Sequence, residues 1–177
     1  MDAYRHDELR AALQRQSLQL NAFFSGIPMQ RFFEGSDESW SPAHHVQHLI
    51  QSVTPLARAL QNASRLPATP EGTTSRNFTE VRDAYLKVLG PGVTNTGRFA
   101  PTLEPVKDRE KYQRELSRGF SGALVQLSSA LEGLKDDDLD KLAIPHPLLG
   151  PITVREMVLF TIYHNQHHEA GIRKRLA

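Results

Sequence analysis

Apolar residues fall at Leu9, Leu13, Leu20, Phe23, Phe24 and Ile27, and Gln and Arg fill the positions between them. Intervals of three, four and seven predict an amphipathic helix from about Asp7 to Ile27, with Gly26 and Pro28 ending it. A polar loop, Phe33 to Ser39, leads to Trp40-Ser41-Pro42. Ser41 suits an N-cap and Pro42 the first helical position, where a missing N–H costs nothing. Val46, Leu49, Val53, Leu56 and Leu60 then carry a second helix to about Ala63. Pro55 lies inside it and is expected to kink or interrupt it, freeing the carbonyl of Gln51.

Residues 65–106 break the pattern, because Pro67, Pro70, Gly72, Gly90, Pro91, Gly92, Gly97, Pro101 and Pro105 crowd them. This span reads as a long crossover covering one end of the fold, with one short helix from about Thr79 to Leu89. Tyr112, Leu116, Phe120, Ala123, Leu124, Leu127 and Leu131 predict a third long helix over Asp108 to Leu134. Asp136-Asp137-Asp138 is read as a solvated turn, and Ile144 to Ile152 as a Pro-rich turn. Thr153 and Glu156 make a capping box for a last helix, and Met157, Phe160, Thr161, His164, His168 and Ile172 form its stripe. Arg173, Lys174 and Arg175 suit the negative end of its dipole. The sum is an all-α chain, a four-helix bundle with a long crossover between helices 2 and 3 and no convincing strand. Its 177 residues fit one domain, 1–177.

Composition narrows the chemistry. With 21 basic and 20 acidic residues the formal charge is +1, so a nucleic-acid partner is not expected. The chain has no cysteine, which excludes thiolate metal sites and disulfides. Its charged start is unlike a signal peptide, and no apolar run approaches the ~20 residues that span a bilayer. The expectation is a cytoplasmic protein without a membrane partner.

The candidate chemistry lies in Tyr163-His164-Asn165-Gln166-His167-His168. Imidazoles four apart share a helical face and can reach one metal ion. His167 could replace His168, but the four-apart pair lies on the apolar stripe. His48, on the flank of the second helix seam, is the natural third ligand. His44, one turn earlier, could add a fourth or stand exposed in the first turn; His45, His146 and His6 are read as surface or loop residues. Glu169 adjoins His168 but is turned about 100° from it. Three neutral imidazoles would leave the full charge on the ion and leave positions open for water, a substrate oxygen or a thiolate. Each histidine could equally be a hydrogen-bonded core residue. Imidazole alone does not choose between zinc, copper, iron and nickel.

These residues also carry a resemblance. Trp40-Ser41, Val46-Gln47-His48-Leu49, His146-Pro147-Leu148-Leu149-Gly150-Pro151-Ile152-Thr153, His164-Asn165-Gln166-His167-His168 and Ala170-Gly171-Ile172 are similar to the DinB-like superfamily. That group includes damage-inducible proteins and metal-dependent hydrolases, and the Tyr-His-x-x-His-His run resembles its bacillithiol-transferase branch. The resemblance implies a four-helix bundle, often a homodimer, binding zinc or nickel through His48, His164 and His168. It implies a metal-dependent S-transferase activating a small, low-molecular-weight thiol, or a related hydrolase, with the general base unassigned. It matches no substrate-binding motif in the crossover. The alternative is a non-catalytic bundle, metal-binding or metal-free, with a structural or interaction role in stress response.

Overall fold

The structure is a computed structural model that describes residues 4–36, 39–90 and 101–177. Four long helices dominate: α1 (His6–Gly26), α3 (Pro42–Gln61), α5 (Arg109–Glu132) and α7 (Val154–Leu176). Short elements join them: α2 (Met29–Phe33), α4 (Phe78–Leu89), α6 (Asp138–Lys141) and the strands β1 (Ala143–His146) and β2 (Gly150–Thr153). The fold is all-α in character. Helix α5 packs along both α1 and α3, and α7 packs against α1 and α3 in turn. Leu9, Leu13, Leu20 and Phe24 of α1 meet Leu49 and Val53 of α3, Phe120 and Leu124 of α5, and Val158 and Leu159 of α7 in one apolar core. Every residue of α7 from Val154 to Ile162 is buried, so its first half is central rather than peripheral.

Helix ends follow the sequence closely. Ser41 accepts from the His44 N–H at 3.3 Å, and Thr153 from the Glu156 N–H at 3.1 Å. Gln113 of α5 donates to the carbonyls of Phe24 and Ile27, satisfying acceptors that the end of α1 would otherwise leave bare. A second buried amide chain fixes α1 to the histidine-bearing helix: Asn165 donates to Gln16, which donates to the Ile162 carbonyl.

Three expectations need correction. Helix α3 runs through Pro55 as one element; the ring lies on the exposed side, where the lost hydrogen bond faces solvent. The stretch Ile144 to Ile152 is not simply a turn, because β1 and β2 pair antiparallel with Ile144 opposite Ile152 and His146 opposite Gly150. Pro145 and Pro151 face each other at a position where a two-stranded ribbon tolerates a missing donor. Asp136 is not merely solvated: it accepts from the His6 N–H and pairs with the buried Arg155, which also clasps Asp140 through two 2.8 Å contacts.

The crossover holds a helix at the expected place, Phe78–Leu89, and it packs on α7. Before it, the Thr69 N–H donates to the Lys141 carbonyl and the Ala143 N–H to the Pro67 carbonyl, lashing the crossover to the start of the hairpin. Residues 91–100, with Pro91, Gly92 and Gly97, lie outside the described residues, as do Asp37, Glu38 and residues 1–3.

Candidate metal centre

Two helices bring the three predicted histidines together. Ser41 and Pro42 start α3 so that His48 falls two turns in, facing α7. Thr153 and Glu156 set the phase of α7, placing His164 and His168 one turn apart on its inner face. Glu156 is itself held by Arg76 of the crossover, whose Nε donates at 2.8 Å. All three imidazoles are buried, at 3%, 4% and 6% exposure for His48, His164 and His168. The Nε2 of His164 stands 3.2 Å from the Nε2 of His48 and 3.0 Å from the Nε2 of His168. The three offer ligand atoms within 4.8 Å of one another, and the group could hold a metal ion.

The spacing can be tested against an ion's requirements. Two nitrogens each 2.0–2.1 Å from one ion stand about 2.9 Å apart at a right angle and about 3.4 Å apart at the tetrahedral angle. The observed 3.0 and 3.2 Å fall between those limits. Imidazole nitrogen is also a suitable donor for zinc, nickel, copper or iron. The residues fit the group.

Electrostatics agree with that geometry. Burial, and then the neighbouring imidazoles led by His48, push the pKa of His164 well below the ordinary 6.5. Burial and then His164, His45 and His48 do the same to His168. Ligation requires the neutral ring, and this pocket supplies it without a proton having to leave first.

The remaining histidines divide sharply. His44 does not join the site: its Nδ1 lies 2.7 Å from Ser41 Oγ, in the capping box of α3. His167 is exposed, so the four-apart pair is the one that faces inward. His6 is part-buried, its Nε2 2.7 Å from the Leu131 carbonyl, and is not a free surface residue. His45 is likewise no surface residue. Its Nδ1 lies 2.7 Å from the Nδ1 of His168, and burial first, then His48, lower its pKa to about 4. His146 also departs from expectation: it is buried on β1, and its Nδ1 accepts from the N–H groups of Leu148 and Leu149. Burial lowers its pKa to about 4. Glu169 pairs with Arg173 at 2.8 Å, away from the cluster.

Aromatic rings wall the centre. Trp40 stands 5.1 Å from the His48 ring and stacks on His168 at 6.1 Å. Phe160 stacks on His164 at 5.0 Å and carries His146 edge-on at 4.3 Å. Tyr85, from the crossover helix, is buried and meets Phe160 at 5.0 Å and His164 at 6.2 Å. Sequence reasoning missed the role of His45, His146, Tyr85 and Phe160 here. His45 and Phe160 carried a usable signal, since His45 lies three before His48 and Phe160 four before His164, and each so shares a face with its histidine.

The chain has similarity to known proteins. An 81-residue segment, 45% of this chain, is 30% identical to the uncharacterized protein YuaE of Bacillus subtilis (strain 168). That match spans 49% of the relative, about half its length. The model of the DinB superfamily matches residues 11–170, a stretch that holds all three converging histidines and nearly all of the four long helices, and the chain belongs to that superfamily.

Proposed function

We propose that the protein is a divalent-metal-dependent enzyme, an S-transferase that activates a small thiol, with a related hydrolase as its close chemical variant. Zinc or nickel is the ion, and His48, His164 and His168 hold it. The substrate is a small molecule, the protein works in the cytoplasm as a homodimer, and neither nucleic acid nor membrane is a partner. One observation carries the reading: three buried rings turn their nitrogens toward a common point at separations of 3.0 and 3.2 Å. A cation at that point would accept a lone pair from each of the three neutral rings at once.

A divalent ion held there would supply Lewis acidity, favouring the anionic form of a bound sulfur or oxygen. The chain's own residues do the rest. With three protein donors of one kind the site is not closed as a four-ligand structural site is. Trp40, Phe160 and Tyr85 keep the surroundings apolar, which strengthens charge interactions inside. The transfer itself forms one S–C bond between the thiol and an electrophilic carbon, while the thiol proton passes to a base and the leaving group departs with its electron pair.

The test uses protein purified without a His-tag. Zinc and nickel content is measured first, and then consumption of several low-molecular-weight thiols with an electrophile, with and without added ion. Ion-dependent conjugation that falls at least 100-fold in His48→Ala is expected. A protein that binds the ion yet consumes no thiol across the panel would remove the transferase; one that binds neither ion would remove the metal reading altogether.

A further inference from the structure

We propose that His45 is a positioning residue that sets the tautomer of His168 and thereby makes it a ligand. The inference rests on the metal reading above. Helix α3 delivers two side chains to the same corner, because His45 and His48 lie three positions apart. His48 turns its Nε2 to the centre, whereas His45 meets the far side of His168.

A neutral imidazole has one N–H and one lone pair, on opposite sides of the ring. The Nε2 of His168 faces His164 at 3.0 Å, while its Nδ1 faces the Nδ1 of His45 at 2.7 Å. A single proton occupies the 2.7 Å contact. If His168 carries it, His168 donates to His45 and its Nε2 lone pair is free to face the centre. If His45 carries it, His168 must hold its own proton on Nε2, which points an N–H into the cluster and bars ligation. His45 in the accepting form therefore selects the ligating tautomer. Ligating histidines commonly give their second N–H to a carboxylate, carbonyl or water; here an imidazole takes that place. Trp40 holds the His45 ring, edge to face at 5.4 Å.

The experiment compares wild type with His45→Phe, which keeps a flat ring but has no acceptor, and His45→Gln, which restores one. Zinc affinity is read by competition with a chromophoric chelator, the ring ¹⁵N shifts of His168 by NMR in metal-free protein, and the melting temperature alongside. In wild type the His168 proton is expected on Nδ1. Zinc binding in His45→Phe should weaken about 10- to 100-fold with the proton moving to Nε2, and His45→Gln should recover most of the loss. Wild-type His168 protonated on Nε2 would overturn the proposal, as would unchanged zinc affinity in His45→Phe or equal losses in both variants. Failure of wild type to bind either zinc or nickel would instead sink the proposed function, and the ¹⁵N shifts would still decide the tautomer.

Discussion

Acidification of the metal-free protein should separate a designed-in cluster of neutral rings from ordinary surface histidines. His164 and His168 are held neutral, first by burial and then by neighbouring imidazoles, with pKa values well below the ordinary 6.5. In the unfolded chain both revert to that ordinary value and take up protons as the pH falls through it. The sign follows: the folded state loses nothing above about pH 6.5, and loses stability progressively as the pH drops toward the depressed folded values. Between pH 7.5 and 5.5 each such ring costs about tenfold in the folding equilibrium, so the pair costs about 100-fold, and His45 and His146, both held near 4 chiefly by burial, add about tenfold each, for roughly 5 kcal/mol in all. Carboxylates do not confuse this window. Burial would raise Asp140 and Glu156, but hydrogen bonds from Arg155 and Ser75 on one, and from Arg76 on the other, bring both below their ordinary values. Their contribution is present above about pH 4 and lost only below it. Urea unfolding at the two pH values, with chelator present, measures the effect, and His164→Leu should remove about a quarter of it. Equal stability at pH 7.5 and 5.5 would show that these rings are not kept neutral, and the account of the pocket's electrostatics would fall.

Two further outcomes are expected from the frame that holds the site. Arg155→Ala should destabilise the protein by about 1–3 kcal/mol in urea unfolding, because Asp140 is left with Ser75 and solvent and the carbonyls of Tyr4 and Asp136 lose the guanidinium donor; no measurable loss would show the network to be dispensable. Pro55→Ala should raise stability by about 1–3 kcal/mol, since α3 is helical through that position and an N–H is restored to it; a loss would mean that the proline's ring packs usefully or that the turn is distorted.

How much of this was legible in the chain depends on the range over which each feature is decided. The long helices were, because Leu9, Leu13, Leu20 and Phe24 or Leu116, Phe120, Leu127 and Leu131 repeat with a period that only one backbone geometry converts into a single face. His164 and His168 were legible for the same reason, and His48 because it borders the α3 seam. The hairpin was not: Pro145, Pro147 and Pro151 read as breakers, and what makes β1 and β2 a ribbon is mutual pairing together with the crossover's hydrogen bond from Ala143 to Pro67, a contact between distant segments. His146 was lost with it, since its burial depends on the hairpin folding against Phe160 and Tyr85.

His45 is the instructive case, because its position on the face was readable and its part was not. Periodicity says which side of a helix a residue occupies, and on that basis His45 and His48 are near equivalents. What separates them is where α7 crosses α3. The crossing aims one ring at the Nε2 of His164 and the other at the Nδ1 of His168. A difference of one helical turn thus divides a candidate ligand from a residue that orients a ligand, and the axial position of α7 makes that division. That position is fixed within two residues of His164, by Gln16 reaching the Ile162 carbonyl and Asn165 reaching Gln16. Loss of that amide pair would remove one axial tie between α7 and α1. A pure slide would break the contacts between α3 and α7 and leave His164 and His168 still facing each other, because their spacing is internal to one helix.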